Sequence, residues 1–139
     1  MQKAETHPQS EQLVASARGW IGTRFRPQGR GVEGLDCLGL VLACCRSVGI
    51  EINLPPFPLR GMRICEAEER FAAAGCRLQA VAGCGDVLLA SPASRQVHLA
   101  ISTGTGVIEA HAGIGRVVER RSGGDEKWAS VWRLPMGVD

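Results

Sequence analysis

Apolar residues along this 139-residue chain change their period partway through. In the first half they recur at helical spacing. Leu13, Val14 and Ala17 share one face of a helix predicted over about Glu11–Trp20, capped by Ser10 and ended by Gly22, with residues 1–10 as a flexible lead-in. Residues 23–34 are rich in arginine and glycine and fit neither the helical nor the strand period. Cys37, Val41, Cys44, Cys45 and Val48 then form one apolar stripe, which predicts a buried central helix over Cys37–Val48 with Asp36 as N-cap and Gly49 just past its end. Pro55, Pro56 and Pro58 impose an extended connection, and a short amphipathic helix follows over about Cys65–Ala74, stopped by Gly75.

After Gly85 the pattern becomes strand-like. Five runs are predicted: Asp86–Ala90, Val97–Ser102, Val107–His111, Arg116–Glu119 and Ser130–Leu134, with Thr103–Gly106 as a hairpin turn. Helices followed by strands predict an α+β fold with an antiparallel sheet, as one domain over residues 11–139.

Composition narrows the chemistry. The net charge of +2 is too small to argue for nucleic acid or an anionic membrane as partner, and no apolar run approaches the roughly 20 residues of a membrane span. The chain has no tyrosine and few aromatics, which excludes tyrosine chemistry and argues against a stacking platform for single-stranded nucleic acid. The polar N-terminus lacks the apolar core of a secretory signal, so synthesis in the cytoplasm with reduced thiols is expected. Six cysteines therefore read as free thiols, and the absence of any C-x-x-C pair argues against a zinc site. Nothing in the pattern asks for a cofactor or a metal.

One cysteine stands apart. Cys37 lies in the first turn of the predicted central helix, where unpaired N–H groups lower a thiol pKa and can stabilise an oxyanion. A cysteine nucleophile needs an imidazole and a group to orient it. His98 starts one strand; Glu109 and His111 lie two residues apart near the end of the next, and either can stand beside His98 across the hairpin. The five remaining cysteines read as packing thiols. Arg24, Arg26 and Arg30 precede the nucleophile and suit either recognition of substrate carboxylates or a solvated loop.

These residues carry a resemblance. The block GLDCLGLV (Gly34–Val41), preceded by Gly19–Arg30 and followed by GDVLLA (Gly85–Ala90) and VHLAI (Val97–Ile101), resembles the NlpC family of bacterial cell-wall cysteine peptidases. The DCLGLV form and the closing VWRLP (Val131–Pro135) look most like its short branch associated with phage tails and gene-transfer particles. The resemblance implies a papain-like fold and hydrolysis of amide bonds in peptidoglycan stem peptides, commonly between D-glutamate and a diamino acid. It implies Cys37 as nucleophile, His98 as general base, and Asp36 beside them to help hold the substrate's amine. Phe25 stands where the family usually carries a tyrosine near the substrate. The family's second histidine falls on Glu109 or on His111, depending on which neighbours are matched. The implied partners are a peptidoglycan peptide and the hub or baseplate proteins of a phage-like tail. A structural tail component that keeps the peptidase fold with a weakened site is the alternative.

Overall fold

The computed structural model of the protein describes residues 7–122 and 127–137. Helix α1 spans Pro8–Gly19, three residues earlier than the sequence predicts. Pro8 supplies a preset first turn, and the His7 ring caps it by accepting a hydrogen bond from the Gln9 N–H (3.0 Å), which leaves Ser10 buried inside the helix rather than capping it. The expected lead-in is thus helical from Pro8 onward; residues 1–6 lie outside the described residues.

Helix α2 (Cys37–Val48) has the predicted bounds. The Asp36 side chain caps it, and Gly49 closes it at φ +75°, a left-handed conformation that glycine adopts without a Cβ penalty. From Cys37 to Cys45 every residue except Leu42 is buried, so α2 is the central helix of the core, with α1 on one side and the sheet on the other. Helix α3 spans Ile64–Ala73 and buries Ala67 and Phe71.

A short hairpin, β1 (Arg30–Gly31) and β2 (Gly34–Leu35), interrupts the stretch read as irregular. The remaining strands are β3 (Arg77–Gln79), β4 (Val87–Ala90), β5 (His98–Ser102), β6 (Gly106–His111), β7 (Arg116–Arg121) and β8 (Ser130–Arg133). They form one antiparallel sheet in the order β3-β8-β4-β5-β6-β7. The pattern does not reveal β3, because Leu78 is exposed and only three residues pair.

Side chains alternate across this sheet. Leu99 and Ile101 of β5, with Ile108 and Ala110 of β6, join the main core with α2. Leu88, Ala100 and Val107 occupy the opposite face, under Trp128 and Val131. Both faces are therefore covered, which explains why β4 and β5 read as nearly continuous apolar runs. Asp86, wholly buried, accepts the Gly83 N–H (2.8 Å) and pairs with Arg133 on β8, so it fixes the turn into β4. All six cysteines are free. Cys44, Cys45 and Cys76 are buried, but Cys65 is exposed on α3 and is not a packing thiol.

Candidate active site

Three local devices put Cys37 at the edge of a cleft. Asp36, 3% exposed, accepts hydrogen bonds from the Gly39 N–H (2.7 Å), the Gln28 N–H (3.0 Å) and Arg30 Nη1 (2.8 Å). It starts α2 and pins the preceding loop to it in one stroke. Gly39 lets that loop lie directly on the helix, since a Cβ there would stand 2.1 Å from the Gly29 carbonyl oxygen. The Phe25 N–H donates to the Gly115 carbonyl (2.8 Å), which draws the arginine-rich stretch toward the β6–β7 turn.

The result is a cleft of about 490 Å³ lined by Cys37, His98, Asp36, Phe25, Arg60 and Gln96 among others. Its size falls within the usual range for a small-ligand site. Cys37 is itself 3% exposed, and burial dominates its chemistry. Burial pushes the thiol up to about 12, against the N–H groups of Leu99, Leu38 and Cys37, which favour the thiolate, while Asp36 adds to the rise. This corrects the expectation from helix position alone: the helix terminus lowers the pKa, but desolvation outweighs it. The resting residue is a neutral thiol.

His98 stands at the first residue of β5 and lines the same cleft. Its Nε2 lies 2.6 Å from Glu109 Oε1. Glu109, 2% exposed, also receives the Arg120 guanidinium on its other oxygen. Burial works against ionisation of this carboxyl, but the hydrogen bonds and charges of His98 and Arg120 prevail and hold it at about 2. It is Glu109, not His111, that meets the His98 ring. His111 Nδ1 instead accepts the Ile114 N–H (3.0 Å) and organises the β6–β7 turn.

Strand alternation puts His98, Glu109 and Arg120 on the face of the sheet opposite α2. Val107 pairs with Arg120 across β6 and β7, so Glu109 is its diagonal neighbour. No hydrogen bond joins Cys37 to His98; they share the cleft from opposite sides of the strand end. Among the described residues no group of three or more His, Cys, Asp or Glu is arranged to hold a metal, and no helix is long and apolar enough to cross a membrane.

The arginines before the nucleophile do not act as one cluster. Arg26 pairs with Glu33 on the surface, Arg24 is exposed, and Arg30 is held by Asp36 and the Gly29 carbonyl. Arg60, from the proline-rich connection, is the arginine that lines the cleft, and periodicity gave no signal for it. Arg120 also escaped sequence reasoning, because its role depends on strand register.

A helix from the first half of the chain packed against an antiparallel sheet is the architecture of the papain-like NlpC/p60 fold. The particular solved structures it matches bear this out. The NlpC/p60 domain of the peptidoglycan hydrolase SagA aligns at 22% identity over 91% of this chain and 98% of that one, with a TM-score of 0.56. The peptidoglycan hydrolase RipB from Mycobacterium tuberculosis aligns at 22% identity over 92% of this chain and 66% of that one, with a TM-score of 0.62. RipD from the same organism, reported as a non-catalytic NlpC/p60 domain protein adapted to peptidoglycan binding, aligns at 14% identity over 91% and 97%, with a TM-score of 0.58. Compared as a sequence, the chain matches no family model and no curated protein.

Proposed function

We propose that the protein is a cysteine peptidase that hydrolyses amide bonds in peptidoglycan stem peptides. The observation that carries the reading is a single cleft lined by a helix-starting cysteine and by a histidine whose far nitrogen is held by a buried carboxylate. In this reading His98 donates Nε2–H to Glu109, which leaves Nδ1 to take the proton from Cys37 Sγ as sulfur attacks the substrate carbonyl. The N–H groups at the start of α2 receive the developing oxyanion. His98 then gives its proton to the leaving amine as the C–N bond breaks. Water, deprotonated by His98, hydrolyses the thioester and restores the thiol. Asp36 serves as helix cap and loop anchor, and Phe25 supplies an apolar wall to the cleft.

The finer assignment, cleavage between D-glutamate and a diamino acid by a protein seated on a phage-like tail with hub or baseplate partners, rests on the sequence blocks Gly34–Val41 and Val131–Pro135. Purified protein is expected to release soluble fragments from peptidoglycan and to cut a γ-D-glutamyl–diamino acid peptide. Cys37→Ala is expected to abolish both, and equal activity in that variant would refute the reading. A second reading, a wall-binding or structural tail component with a silent site, is favoured by one observation: the resting Cys37 thiol is buried and has no hydrogen bond to His98. RipD is reported to have taken that course. Undiminished binding to peptidoglycan with no cleavage by the unmodified protein would select it.

A further inference from the structure

The polar system around His98 does not end at Glu109. Three consecutive strands each contribute one side chain to the same face: His98 from β5, Glu109 from β6 and Arg120 from β7. Glu109 is almost fully buried, and each of its two oxygens meets one of these neighbours. We propose that Arg120 is a positioning residue which, by holding Glu109 as a carboxylate, fixes the His98 ring with its proton on Nε2 and its lone pair on Nδ1. The proposal rests on the peptidase reading above and adds a residue that touches neither substrate nor Cys37.

Donors and acceptors decide the tautomer. An ionised glutamate can only accept, so the ring atom facing it must carry hydrogen. A buried carboxylate that loses its cationic partner has an uncompensated desolvation cost and escapes it by taking up a proton. Protonated Glu109 would present an O–H to Nε2, and the ring hydrogen would move to Nδ1, the nitrogen that must be bare to accept from a thiol. The Arg120 guanidinium prevents this exchange by charge and by direct contact with the carboxylate. The other charged or titratable groups around the ring are Cys37, Asp36 and Arg60 on the cleft side and Lys127 on the other. None of them touches Glu109.

The decisive experiment records ¹⁵N ring shifts of histidine-labelled protein, with His98 assigned by His98→Gln, in the unmodified chain, Arg120→Gln and Arg120→Lys. The unmodified chain and the lysine variant are expected to hold the Nε2–H tautomer, whereas Arg120→Gln should show a substantial Nδ1–H population. Where the protein cleaves stem peptide, Arg120→Gln is expected to lower kcat by about tenfold or more with KM within about twofold, and the lysine variant to recover most of the loss. An Nε2–H tautomer unchanged in Arg120→Gln overturns the proposal, as does a lysine variant as impaired as the glutamine one. The tautomer is read without substrate. A protein that cleaves nothing but shows the predicted exchange therefore refutes the peptidase reading and supports the role of Arg120.

Discussion

Removing Asp36 should unfasten the site and the fold together. In Asp36→Ala the start of α2 loses its cap, worth about 1 kcal/mol. The Gln28 N–H loses an acceptor in a partly buried position, at a further cost of about 1–3 kcal/mol. Arg30 is 32% exposed and keeps the Gly29 carbonyl, so water replaces much of what it loses and its share is below about 1 kcal/mol. The sum is about 3 kcal/mol. With a urea m-value of about 1.5–2 kcal/mol/M, the unfolding midpoint should fall by about 1.5–2 M. Asp36→Asn separates the contributions: its one oxygen can keep the Gly39 cap, but its NH2 group cannot accept from the Gln28 N–H, so this variant loses that bond and the charge pair with Arg30 while keeping the cap, about 2 kcal/mol. Equilibrium urea unfolding followed by circular dichroism measures both. An alanine variant within about 0.5 kcal/mol of the unmodified protein, or an asparagine variant as stable as the unmodified protein, would refute the view that Asp36 is the anchor of this loop.

Glu109 gives a pH signature. Its carboxyl is held at about 2 in the folded protein against 4.5 unfolded, so its hydrogen bond with His98 and its pair with Arg120 stabilise the fold above about pH 4.5, and that contribution is lost as pH falls toward 2. The contribution is about 3 kcal/mol, and Glu109→Gln should flatten the acid limb of a stability–pH curve over that window. Gly39→Ala forces a Cβ against the Gly29 carbonyl and should cost about 1–3 kcal/mol in thermal or urea unfolding, with loss of any cleavage activity. Burial of the Cys37 thiol predicts that iodoacetamide at neutral pH labels exposed Cys65 before Cys37, as peptide mapping by mass spectrometry would reveal; Cys37 labelled first would mean that the cleft opens more than its 3% exposure implies.

The central helix was legible because its signals agree. Asp36 and Gly49 mark its ends, and its apolar stripe admits no other period. Strands β4 to β8 were legible within a residue or two: β4 to β6 as apolar runs buried on both faces, β7 and β8 as short runs bounded by turns. What escaped depends on pairs of residues distant in sequence. The hairpin of β1 and β2 is two residues a side and is held by contacts to α2, not by its own pattern. The choice between Glu109 and His111 turned on which side chain the β5–β6 stagger brings to His98, and no local pattern encodes that. The Cys37 thiol illustrates a different limit: the helix terminus is visible in sequence, whereas the desolvation that opposes it depends on everything packed around the sulfur. The spacing of Asp36, Cys37 and Gly39 acquires a physical sense only in three dimensions, as cap, thiol and the gap into which the Gly29 carbonyl fits.

The proposed chemistry has Cys37 attack an amide carbonyl in this cleft. An acid quench of the protein mixed with a γ-D-glutamyl–diamino acid stem peptide, followed by peptide mass spectrometry, tests it directly. An acyl group is expected as a thioester on the peptide containing Cys37, and is expected to be absent from Cys37→Ala. Hydrolysis products formed equally by Cys37→Ala, or peptide that binds and is recovered intact with Cys37 unmodified, would contradict it.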